Sequence, residues 1–143
     1  MRKEIVSAHC DGPCGVYDPA SARIAAEAVV SMTKKMLDLK APEGSEGMAH
    51  YVNTMSRYAS IKEQEAQKCK DDILVLWTDF FKPEHLESHD DLHGLFWNTA
   101  KLCSACKVEL SLDHANDLLD HIQKIHDLFW SIKGRKVDWY TAG

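Results

Sequence analysis

The stretch ANDLLDHIQKIHDLFWSIKG, residues 115–134, decides the fold class. Ala115, Leu118 or Leu119, Ile122, Ile125, Phe129 and Ile132 recur every three or four residues. That spacing gathers them on one face of an α-helix, and Gly134 follows as its stop. The same period runs upstream through Leu92, Leu95 or Phe96, Thr99, Leu102 or Cys103, and Cys106, predicting a second helix. A third is marked by Met48, Tyr51 or Val52, Met55, Tyr58 or Ala59, and Ala66. A fourth is marked by Ile24, Ala28, Met32, Met36 and Leu39, and reaches about Lys40. Asp18-Pro19 starts this fourth helix, since aspartate caps free amides and proline suits the first helical position. The Pro- and Gly-bearing segment 41–47 is a loop.

Two places stay open at this level. Asp71-Asp72 reads as a short break or as continuing helix. The block Ile73-Leu74-Val75-Leu76-Trp77-Thr78-Asp79-Phe80-Phe81 is apolar nearly all round, so it is expected to be deeply buried; Lys82-Pro83 ends it. A strand there would have no second strand to pair with. Long helices with short connections predict an all-α, antiparallel four-helix bundle over residues 18–143.

The 143 residues are enough for one domain with a core of its own. A formal charge of −5 and the lack of any long Lys/Arg run argue against nucleic acid. No segment approaches the ~20 apolar residues that span a bilayer. Residues 1–8 are charged at their start and small at their end, but their apolar centre is only Ile5-Val6. They read as a short pro-segment on a cytoplasmic protein. Five cysteines, an odd number without an export signal, argue against a disulfide framework. Cys69 is isolated in sequence. Cys103 and Cys106, three apart in a helix, read as buried thiols, with a second metal or redox pair as the alternative.

The chemistry is concentrated in His9-Cys10-Asp11-Gly12-Pro13-Cys14-Gly15-Val16-Tyr17, which joins an imidazole and two thiols in one tight turn. Three readings compete: an incidental loop, a thiol redox pair, and a metal site. The redox reading is weakened by three intervening residues, where thioredoxin-like motifs have two, and by the lack of a βαβ pattern. Structural zinc would want a fourth side chain from elsewhere. Nickel or copper in a square-planar field suits adjacent donors on one backbone. If Met1 to Ala8 were removed, His9 would add a free amine. The set would then be amine, imidazole, the Cys10 amide and thiolate, and the Cys14 thiolate, with the imidazole axial. Gly12-Pro13 is a candidate cis bond in the turn.

These residues, continued by Asp18-Pro19-Ala20 and Ala22-Arg23-Ile24, resemble the hook of the nickel-containing superoxide dismutases. The likeness runs on through Ile61-Lys62-Glu63-Gln64 and Leu76-Trp77-Thr78-Asp79-Phe80-Phe81-Lys82-Pro83. The resemblance implies a four-helix-bundle subunit, a homohexamer, and a precursor cut by a protease between Ala8 and His9. It also implies superoxide as substrate, and nickel cycling between Ni(II) and Ni(III) on His9, Cys10 and Cys14. Asp11, Tyr17 and Lys82 match positions around the substrate site, with Tyr17 gating small molecules above the metal. Many relatives hold the axial imidazole with a Glu where this chain has Ala25, and carry an Arg where it has Glu65. The pair of changes suggests that the Glu65 carboxylate reaches the His9 ring from the other helix. Phe80 stands where some relatives have a tyrosine. The alternative function is a non-catalytic metal-binding or thiol-redox bundle.

Outside the hook, His85, His89 and His93 are spaced four apart. On one helix face they could bind a divalent metal, although Asp90-Asp91 reads as a new helix start that would break that face. Trp139 and Tyr140 are expected to dock on the bundle or on a neighbouring subunit.

Overall fold

The computed structural model describes residues 14–143. The pro-segment 1–8, His9, Cys10, Asp11 and the Gly12-Pro13 bond lie outside the described residues. Five helices follow one another: α1 (Ala20–Asp38), α2 (Met48–Val75), α3 (His85–Ser88), α4 (Leu92–Val108) and α5 (Leu112–Lys133). No strand occurs among the described residues. α1 packs on α2 and α5, and α4 packs on α2 and α5, which closes a four-membered ring; α3 is a single turn in the α2–α4 connection.

The predicted apolar faces make the core. Leu118, Ile122, Ile125 and Phe129 of α5 are fully buried, as are Ala22, Ala25, Ala26 and Val29 of α1, and Phe96 and Cys103 of α4. Each of the larger side chains contributes roughly 1.5–3 kcal/mol by leaving water. The alanine-rich face of α1 lets neighbouring helices come close. Two buried threonine hydroxyls are satisfied within their own helices: Thr33 Oγ1 donates to Val29 O and Thr99 Oγ1 to Leu95 O, both at 2.7 Å. α5 begins at Ser111, whose Oγ accepts from His114 N at 3.2 Å, and ends at Gly134 in the left-handed region with φ 67°.

Lys62, in the Ile61-Lys62-Glu63-Gln64 run, is buried. Its ammonium donates to Cys106 O, to Lys107 O at 3.2 Å and to Glu109 O at 3.0 Å. A cation from α2 thus closes the C-terminal end of α4, where carbonyls have no helical partner. Burial draws its pKa below the usual lysine value, against the opposing pull of the Cys106 and Glu63 charges.

The structure closes one open point, changes one expectation and adds one neighbour that sequence spacing does not show. Asp71 and Asp72 do not break α2: Ala66, Cys69, Ile73 and Leu76 carry one face straight through them. The block 73–81 is helical and not deeply buried throughout. Ile73, Leu76 and Phe81 are inside, Thr78 and Asp79 are exposed, and Leu76–Phe80 forms a π-helical turn. Cys69, isolated in sequence, has Cys103 close enough in space to raise its pKa. Cys69, Cys103 and Cys106 are buried free thiols between α2 and α4.

Candidate metal centre

Cys14 begins the described chain and is exposed. Its Sγ lies 3.5 Å from Val16 N, which donates to it, and the residue is disulfide-bonded. Gly15 follows at φ 65°, a left-handed conformation that disfavours any side chain. The chain then enters α1 through Asp18, whose Oδ1 accepts from Ala20 N at 2.9 Å. The predicted cap therefore forms, one residue before the position that the helix geometry marks as its cap, Pro19.

Tyr17 turns back onto the bundle, half-buried, with its ring 5.7 Å from that of Phe80. Phe80 is held in turn by Phe129 at 4.4 Å and Phe81 at 4.9 Å. The π-helical turn places it there. One extra residue in the turn, closed by Phe81 N–H donating to Leu76 O at 3.1 Å, shifts the register at the end of α2. Such turns recur at functional sites. Beside them lies a cleft of about 320 Å³ lined by Gly15, Tyr17, Asp79, Phe80, Lys82, His85, Ile132 and Lys133. Lys82 sits just past the π turn, and its backbone N–H donates to His85 Nδ1 at 2.9 Å. Lys133 Nζ lies 5.9 Å from the centre of the Phe80 ring.

The structure thus brings Tyr17 and Lys82 to one cleft adjoining Cys14. Sequence reading missed Lys133 and the π turn. Lys133 was legible as one residue past Ile132 on the last turn of α5. The π turn has no signature in a block so uniformly apolar. Two ammonium groups against one carboxylate, Asp79, give this mouth a local positive balance on a chain of net charge −5.

The histidine series does not form a site. His85 is on α3 and accepts from Lys82 N. His89 lies past the end of α3, with Nδ1 3.0 Å from Ser88 Oγ. His93 is on α4 and accepts from Trp77 Nε1 at 2.9 Å. The helix start at Leu92 separates them, and the described residues contain no group of three ligands able to hold a metal.

The donor chemistry of the hook fits nickel. Cys14 offers sulfur on an exposed turn, next in sequence to Gly15 of a cleft that carries Lys82 and Lys133. Thiolate ligation requires its disulfide to be reduced first.

Residues 4–133 match the sequence model of the nickel-containing superoxide dismutase family. The nickel superoxide dismutase of Streptomyces coelicolor is 43% identical over 131 residues, 92% of either chain. That of Streptomyces seoulensis is 42% identical over 128 residues, 90% of either chain. A native crystal structure of a nickel superoxide dismutase superposes with a TM-score of 0.75 at 40% identity, covering 87% of this chain and 99% of that one. A metal-free structure gives 0.73 at 38% identity, covering 83% and 98%.

Proposed function

The chain belongs to the nickel-containing superoxide dismutases, and from that premise we propose that residues 9–17 are its nickel hook, matured by cleavage between Ala8 and His9. The reaction takes two superoxide ions and two protons to dioxygen and hydrogen peroxide. Bound nickel supplies one-electron chemistry between Ni(II) and Ni(III), which thiolate and amide donors bring within reach. His9, Cys10 and Cys14 would hold it. Asp11, Tyr17 and Lys82 would serve the substrate: Tyr17 by offering a phenol to small molecules at the hook, Lys82 by drawing an anion into the cleft.

The observation that carries this reading is the packing of Tyr17 on Phe80 beside Lys82, which joins the hook's last residue to a cleft that it lines. Processing is supported by the family match beginning at Glu4, ahead of His9. A retained pro-segment would turn the His9 amine into a peptide amide and cost the metal one ligand. A homohexamer is supported by exposed apolar side chains beside the hook and along the first half of α2: Val16, Ile24, Met48, Val52 and Ile61. A cytoplasmic setting is supported by the three free thiols. No helix among the described residues is long and apolar enough to cross a membrane.

The test compares the uncut chain with one beginning at His9, each reduced and offered nickel. Intact mass, metal content and superoxide turnover are measured on both. Only the cut chain should hold stoichiometric nickel and turn over superoxide. Full activity in a chain whose mass still includes Met1 would overturn the processing reading.

A further inference from the structure

Beyond Lys133, where the family match ends, residues 135–143 run without regular structure from the end of α5 back to α1. They are fastened along their length. Arg135 N–H donates to Trp130 O at 3.1 Å, and its guanidinium lies 5.4 Å from the Trp130 ring. His126 Nε2 donates to Val137 O at 2.8 Å, and the Trp139 ring stands edge-on to His126 at 5.3 Å. The Arg23 guanidinium lies 4.4 Å from the Tyr140 ring centre. The segment ends on Glu27, whose Oε1 accepts from Ala142 N at 2.6 Å and Gly143 N at 3.2 Å. Trp139 and Tyr140 therefore dock on their own bundle, one of the two outcomes expected for them.

The landing point is what matters. Arg23 is buried, pairs with Glu27 Oε2, and donates its backbone N–H to Pro19 O at 3.1 Å in the first turn of α1. One carboxylate thus holds both the arginine of that turn and the end of the tail. Asp18 and Ala20, where the hook leaves the bundle, face Val137 and Tyr140 across a space of about 140 Å³. The root of the tail adjoins Lys133, which lines the hook's cleft. The tail therefore lines the space beside the hook's base and is rooted next to a residue of the hook's cleft.

We propose that residues 135–143 are a strap that positions the metal hook: Tyr140 on Arg23, and the terminal amides on Glu27, hold the first turn of α1 and so set the direction in which residues 14–18 leave the bundle. Arg23, Glu27 and Tyr140 are positioning residues. Only the nickel arm of the test rests on the hook being the metal site.

The test uses the chain ended at Gly134, together with Tyr140→Ala and Tyr140→Phe in the full chain. Hydrogen exchange of the metal-free proteins is read at the amides of Ala20 and Arg23, which report the Asp18 and Pro19 bonds. Nickel loss from the processed proteins to a chelator is read well below melting. The shortened chain and Tyr140→Ala should exchange about fivefold to tenfold faster at these amides, with α4 unchanged and Tyr140→Phe like wild type. Nickel should leave faster by a similar factor. Wild-type exchange in Tyr140→Ala, or in a folded shortened chain, would overturn the proposal. So would protection lost evenly over α4 and α5, which would make the tail a general brace. A processed wild-type chain that takes no nickel would instead refute the metal reading and leave the exchange arm standing.

Discussion

Cys14 and the thiols between α2 and α4 share an element and almost nothing else. Cys14 is exposed, disulfide-bonded, and beside a cleft carrying Lys82 and Lys133. Cys69, Cys103 and Cys106 are buried and free. The hydrogen bond to Cys103, then burial, hold the Cys69 thiol well above the usual range. Burial, with Cys103 nearby, pushes Cys106 up to about 11. The thiolate is the reactive and ligating form, so environment alone separates the sulfur proposed as a metal ligand from inert packing. The separation suits an enzyme whose own product, hydrogen peroxide, oxidises thiolates.

The largest test of this contrast exchanges sulfur for oxygen on each side. Cys14→Ser should lose nickel and reduce turnover to background, while Cys106→Ser keeps nickel and activity per nickel. Metal analysis with a superoxide assay reads both, and nickel lost equally from the two variants would erase the distinction. Next in size is the support of the axial imidazole. Ala25 is fully buried in the α1 core, so its position offers no carboxylate, whereas Glu65 on α2 is half-buried. Glu65→Ala should lower turnover by ~10–100-fold with nickel still bound. Unchanged turnover would free Glu65 of that role.

A smaller effect is expected at the mouth of the hook. Removing residues 1–8 takes away Arg2, Lys3 and Glu4, a net +1, and so moves the formal charge from −5 to −6. Attraction of superoxide must therefore be local. Lys82→Ala should lower the second-order rate about 10-fold and flatten its dependence on ionic strength. A salt dependence like that of wild type would show that Lys82 does not steer.

The smallest effect belongs to the buried side. The Cys106 pKa is higher folded, at about 11, than the ordinary thiol value of 9.0. Its contribution to stability is complete below pH 9 and is lost as pH rises through 11. The melting midpoint of the metal-free chain should fall by about 4 °C across that window. Cys106→Ala should flatten the slope, leaving what Cys69 and Lys62 contribute. Equal slopes would mean that Cys106 ionises alike in both states.

Much of this was legible because period and punctuation are local. The face from Ala115 to Ile132 with its Gly134 stop, the Asp18-Pro19 start and the loop 41–47 needed only nearest neighbours along the chain, and each is found where it was read. The proposed hook could be read from the chain for the same reason: its candidate donors His9, Cys10 and Cys14 lie in one short stretch. The run 71–81 was not. Whether an aspartate breaks a helix depends on what packs against the rest of the turn, and α1 and α4 do so here.

The sequence by itself determined the helices and the all-α class, since periodicity belongs to short stretches of chain. Tertiary structure alone decided the rest. It shifted the register at Leu76–Phe80 so that Phe80 meets Tyr17, brought Lys133 to a cleft shared with Tyr17 and Lys82, and set Cys69 near Cys103. It also carried Tyr140 onto Arg23. Each of these contacts joins residues far apart in sequence. Their energies come from desolvation, charge and ring packing between elements, terms that have no value until the bundle has closed.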